Sequence, residues 1–571
     1  MIKNPSAVSP PEPQPPAPAV PERPYHDIVT RYAAAAAHIN PWLCRSILSN
    51  FLDRPQCAWG PAIGVDALGV VRHAVEARRR RRVRDLLLVG VLLGAAVTVL
   101  VRLSARHGLR PTVSTMAVCA LLAGVGWLFR RLLWRKIAEG WRKLRGRPGQ
   151  LLSSIAGALL LLTLTGMTVV RWPGIRTDLA IAAGAALAAW AVLLVSAWLS
   201  LRRAVAVRDG CGRTASLARP LPATVEDRLS ELPDENVVVY GAGRDVLPFL
   251  GSGQRIKDWT FEVDVTKGAL GSAGERLKPL PFTDYELNRF LDESFVGDRS
   301  DTKTHTHRLY VDGRTKELLG EAGEPLPHPV QRVPHDLILE EIGRTRTDSY
   351  RRVYFCLQEV ARDGEIVVSV FARTRTRNRL LYLELALHAL FPLHPAVIGP
   401  VSHLSSHPLD LARNALGRGS RRLPRMIFGA FPRCAAEVRD LLRRSRNGRL
   451  ALRALRRDRP FDYGANITLR EGISAVDVED LHYNAIVDVL SIGASLQARL
   501  LTELHHFLRK HQIDTADFDR TKQNIVTTIQ TWNVNEVKAT MVGFGNNNDF
   551  RNNEQPPPAK DNPPPDKNPK A

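Results

Sequence analysis

The sequence predicts a membrane protein: four transmembrane α-helices in two hairpins, joined to a cytosolic α+β domain that contains an antiparallel sheet. Three observations predict this. The runs Leu86–Val101, Pro111–Phe129, Leu151–Val170 and Leu179–Leu201 contain no Asp, Glu, Lys, Arg or His. The loops between them differ in positive charge. A later stretch alternates with the two-residue period of strands.

A helix needs about 20 apolar residues to cross the hydrocarbon core. Leu86–Val101 is short of that, but Asp85 and Arg102 flank it and can reach the interfaces. The loop 130–150 carries Arg130, Arg131, Arg135, Lys136, Arg142, Lys143, Arg145 and Arg147 against Glu139 alone, and Arg202, Arg203 and Arg208 follow the last run. Positive loops stay in the cytoplasm, which predicts both termini and the second loop inside. Small residues (Gly90, Gly94, Ala182, Gly184, Ala185) fit close helix packing in lipid. The absence of ionisable residues at membrane depth argues against an ion-coupled transporter.

Of the 571 residues, 79 are Lys or Arg and 57 Asp or Glu, a net charge of +22. With spans present, an anionic lipid surface is the expected partner, ahead of nucleic acid. Six scattered Cys without a C-x-x-C pair fit neither a disulfide framework nor a zinc ribbon.

The division along the chain follows composition. Residues 1–24 are a proline-rich tail. Residues 25–85 form a helical region, with Asp27–Ile39 ending at Asn40-Pro41, then Pro41–Leu52, then a helix from Val65 into the first span. The spans occupy 86–201, the α+β domain 202–548, and a Pro- and Asn-rich tail 549–571.

In the α+β domain, Asn236–Tyr240 and Trp259–Val265 read as strands. The loop between them holds Gly241, Gly243, Arg244, Gly251 and Gly253, where backbone N–H groups could cradle a phosphate. It lacks both G-x-G-x-x-G and the P-loop pattern, and Pro248 interrupts the helix that should follow. Thr283-Asp-Tyr-Glu286 is a capping box that opens a helix. His307–Val311, Tyr350–Ala361, Glu365–Arg373 and Arg379–Leu387 are strands, with a hairpin turn at Arg362-Asp363-Gly364.

His403 and His407 are spaced H-x-x-x-H, but Leu404 stands where a zinc protease needs Glu. His305 and His307 have no acidic or Cys cluster nearby in sequence and read as structural. No nucleophile–base pair stands out, so no catalytic residue, metal ligand or cofactor is assigned. Arg443, Arg444, Arg446, Arg449, Arg453, Arg456 and Arg457 lie on two helical stretches divided at Asn447-Gly448 and are the expected lipid-surface residues. Val478–Lys510 is a long amphipathic helix, suited to packing on the sheet or to self-association. Thr515–Gln530 is a further helix, and Asn533–Phe544 a possible edge strand.

The Arg tract before the first span, the paired hairpins, Val-Val-Val-Tyr240 leading to Pro248-Phe-Leu-Gly-Ser-Gly253, and His-Gln-Ile-Asp-Thr515 resemble uncharacterised multi-span membrane proteins of high-GC actinobacteria. The resemblance implies a bacterial inner membrane and assigns no catalytic residue. Three functions fit: a non-enzymatic membrane protein whose cytosolic domain binds a ligand or partner, a membrane-tethered enzyme using the Gly-rich loop, or an effector that permeabilises the membrane after assembly.

Overall fold

The computed structural model describes residues 27–107, 173–210, 218–241, 248–272, 274–300, 302–315, 328–344, 351–421, 426–427, 429–456, 461–474 and 482–530. The expected second and third spans, both tails and the strand Asn533–Phe544 lie outside them.

The N-terminal helices are α1 (Asp27–Ile39), α2 (Pro41–Phe51) and α3 (Ala67–His107). Asn40 caps α2: its side chain accepts from the N–H groups of Trp42 and Leu43, and Pro41 fits the first turn because its missing N–H would be unpaired there. Helices α4 (Pro173–Arg208) and α5 (Ala223–Glu231) follow. The lower halves of α3 and α4 share one apolar core with α1 and α2, through Val70, Val71, Ala74, Leu201, Ala204 and Val207. Chain from far along the sequence joins this core, including Leu393, Val401, Leu411 and Ile473.

The sheet contains β1 (Val237–Tyr240), β2 (Gln254–Asp264), β3 (Lys303–Asp312), β4 (Arg351–Ala361), β5 (Ile366–Arg377) and β6 (Leu380–Leu390), in the order β1-β3-β4-β5-β6-β2. It is mixed, which corrects the expected antiparallel sheet: β1 runs parallel to β3, with Val239 opposite Val311. The expected hairpins are present. Arg362, Asp363 and Gly364 all take positive φ between β4 and β5. Asn378 and Arg379 do so between β5 and β6, as a two-residue type I′ turn requires.

Alternation along the strands separates two cores. Phe355, Leu357, Val368, Val370, Leu383, Leu385 and Leu387 face α6 (Asp284–Phe295), α11 (Tyr483–Lys510) and α12 (Ala516–Gln530). Tyr354, Cys356 and Phe371 face the opposite way, onto Leu250 and Ala465. The remaining helices are α7 (His335–Arg344), α8 (Pro395–Ser402), α9 (Pro408–Arg421) and α10 (Ala430–Arg456). Helix α10 runs through Asn447 and Gly448 without a break, so the expected division there is not seen. One glycine inside a helix costs only about 1 kcal/mol and does not by itself end it.

Three helical stretches among the described residues are long and apolar enough to cross a membrane: Ala67–Arg102, Ala180–Arg208 and Tyr483–Lys510. They differ in what covers them. Helix α11 buries Ile486, Val489, Leu500, Leu501 and Leu504 against the sheet. In α3 and α4, Leu86, Leu93, Val97, Val101, Leu187 and Val195 are each at least half exposed.

Candidate functional site

The Gly-rich loop has an occupant from its own chain. Glu471 Oε1 accepts from the backbone N–H groups of Gly251 at 2.8 Å and Gly253 at 3.2 Å, and Glu471 Oε2 accepts from Thr468 N and Oγ1. Burial pushes this carboxyl above its usual range, against the opposing effect of those hydrogen bonds. Gly251 and Gly253 take φ of +90° and +81°, and a Cβ on Gly253 would strike the carbonyl of Ala389. Gly241 N–H donates to the Ala465 carbonyl. Gly243 and Arg244 lie outside the described residues.

The basic helix α10 pairs antiparallel with α3. Ala430 packs on Leu88, Arg433 binds Asp85 at 2.9 Å, Glu437 binds Arg82 and Arg78, and Arg444 pairs with Asp53. Burial acts to raise Glu437, but the two guanidinium groups outweigh it and hold the carboxyl below its usual range. Glu437 lies level with Arg78 and Arg82, and Arg444 is seven residues farther along α10, so this register sets Arg444 about 20 Å from the start of the apolar stretch at 1.5 Å per residue. Arg443, Arg446, Arg449 and Arg453 are exposed, beside exposed Val438, Leu441 and Leu442. Arg457 lies outside the described residues, and of Arg456 only the backbone is described.

A third place was not legible from local sequence. His305 and His307 alternate on β3 and therefore face the same way, toward α6. The capping box at Thr283 fixes where α6 begins, and Asp284 accepts from the Thr376 N–H on β5. One turn apart on α6, Asn288 and Asp292 then lie over β3. His335, the first residue of α7, comes in from the other side. The chain leading to it is tied down: the Gln331 amide bonds both backbone groups of Trp59, and Asn236 bonds both backbone groups of Val333.

The three elements converge on Asp292. Its Oδ2 is 2.8 Å from His335 Nε2, and its Oδ1 is 3.6 Å from His307 Nδ1 and 3.8 Å from His305 Nε2. One donor atom each from Asp292, His307 and His335 fall within 4.8 Å of one another. Phe355 lies 5.0 Å from the His307 ring, so one wall is apolar. Burial lowers His307 and His305, while the Asp292 carboxylate raises His335. Burial works to raise Asp292, but His307 and His335 together hold it well below the usual carboxylate range. The expectation that His305 and His307 lack acidic company is corrected. Asp292 is an acidic neighbour across a helix–strand contact, invisible to a local reading. By contrast, His403 and His407 are exposed.

A family model described as AbeC-like domain matches residues 258–547, half of the chain. The chain belongs to the AbeC-like domain family. No curated protein and no solved structure matches it. The AbeC-like region runs from within β2 past α12. It contains Asp292, His305, His307, His335 and the basic residues of α10, and excludes α3, α4 and the whole Gly-rich loop.

Proposed function

We propose that this AbeC-like chain is a multi-span protein of a bacterial inner membrane. Its α+β domain and both termini are cytoplasmic, and the domain binds a ligand or partner. One observation carries the reading: α3 and α4 are unbroken helices of 41 and 36 residues that begin or end in a buried core and continue as exposed apolar surface. Exposed Leu and Val along two adjacent helices would be costly in water and are favourable in lipid. Cations ring the transition. Arg202 is exposed with its guanidinium 5.3 Å from the Trp198 ring, as at a membrane–water interface. Arg80 and Arg203, one from each helix, meet at Glu76.

Because the helices do not break, a change of packing in the cytosolic core would be passed to the spans as movement of a rigid rod. Anionic lipid is the proposed partner of this face, with Arg202 nearest the apolar segment and the exposed Arg443, Arg446, Arg449 and Arg453 farther off. The test is extraction of native membranes with alkaline carbonate. The full chain should stay in the membrane pellet; its release into the supernatant would refute the reading.

A further inference from the structure

We propose that Asp292, His307 and His335 form a binding site for a divalent first-row transition ion, zinc in the first instance. The argument rests on which atoms can carry protons. Asn288 Nδ2 donates to the Asp284 carbonyl at 2.8 Å and to Thr374 Oγ1 at 2.9 Å. A carbonyl can only accept, so the orientation of the Asn288 amide is fixed. Its Oδ1, 3.3 Å from His307 Nε2, must then be the acceptor, and His307 carries its hydrogen on Nε2.

In the neutral ring that leaves Nδ1 as a bare lone pair. This atom is fully buried, no hydrogen-bond donor among the described residues reaches it, and it faces the Asp292 carboxylate at 3.6 Å. Two acceptors turned toward each other in a buried place call for a cation between them. His335 Nε2 approaches the same carboxylate at 2.8 Å without the alignment of a hydrogen bond. Two imidazoles and one carboxylate are a recurrent ligand set for Zn²⁺ and Fe²⁺, and three protein ligands leave a position open for water. The bond from His307 Nε2 to Asn288 is the outer contact that orients a metal-ligating imidazole. Asp292 and His335 are partly exposed, which gives an ion a way in.

The structure also offers a counter-example. His38, His73 and Glu76 are gathered just as closely. There His38 Nε2 bonds His73 Nδ1 at 3.2 Å, Glu76 is already paired with Arg80 and Arg203, and three guanidinium groups surround the cluster. That place repels a cation. The Asp292 cluster has no guanidinium paired to its carboxylate among the described residues.

This inference deepens the reading of the cytosolic domain as a binding domain. Metal content tests it, whereas carbonate extraction tests the membrane reading, so the two can fail separately. The experiment uses the full chain in detergent, stripped with a chelator, re-equilibrated with Zn²⁺ and dialysed. Elemental analysis should give one zinc per chain. Asp292→Asn and His335→Ala, both at partly exposed positions, should each lower the affinity about 100-fold or more. His403→Ala should bind as the parent does. Circular dichroism identifies a variant that has merely unfolded, and replacing Zn²⁺ by Co²⁺ gives a visible spectrum that reports ligation directly. Zinc at well under one per chain in the folded parent, or equal zinc in folded Asp292→Asn and His335→Ala, would overturn the proposal.

Discussion

Glu471 shows how a single side chain settles the state of a loop. Its carboxylate fills the turn that Gly251 and Gly253 make, and two of the amide groups that could hold a phosphate already hold this carboxylate. Glu471→Ala should therefore leave buried donors unpaired and destabilise the folded chain by about 1–3 kcal/mol, read from chemical denaturation. Asn288 acts similarly one step from the metal site. Asn288→Leu removes the acceptor that orients His307, and zinc affinity should fall about 10–100-fold with the ligands themselves intact. Unchanged affinity in the folded variant would show that His307 is not held in this way. Sequence made part of this visible. The glycines of the loop were legible because turns need them. Glu471, some 220 residues from Gly251, was not. The predicted strand His307–Val311 begins after His305, so the shared face of the two histidines was not legible in the sequence. Asp292 and His335 joined them only through the packing of α6 and α7, which no local pattern encodes.

Helices and strands were more legible than their partners. Composition and a stop signal located α1, the 3.6-residue rhythm located α2 to within one residue and α11 to within about five, and turn chemistry located both hairpins. What escaped was β1 lying parallel to β3, because a four-residue strand says nothing about its neighbour. The pairing of α10 with α3 escaped for the same reason. That pairing has a pH signature. Glu437 is held below its usual range in the folded chain, so the stability it contributes is complete above the unfolded carboxyl range and is lost as pH falls through the folded value. Glu437→Gln should cost about 1–2 kcal/mol at neutral pH and flatten the acid limb of the stability curve. An equally steep acid limb in the variant would assign that pH dependence elsewhere. On α11, Leu500 is fully buried against the sheet. Leu500→Ala should lower stability by about 2–5 kcal/mol, as expected of a core helix and not of a lipid-facing one.

At the scale of the molecule, a mixed sheet with helices on one face stands beside a helical core, and two helices of that core extend as apolar rods. Hydropathy alone marks three helices as able to span. Burial distinguishes them: α11 has its apolar stripe covered by the sheet, and α3 and α4 have theirs uncovered. The central claim is that α3 leaves the cytosolic core and crosses the bilayer. The most direct measurement is a reporter active only outside the cytoplasm, fused after His107 at the end of α3, in cells where immunoblotting confirms the full-length fusion. The account predicts an active reporter. A silent reporter on an intact fusion would contradict it.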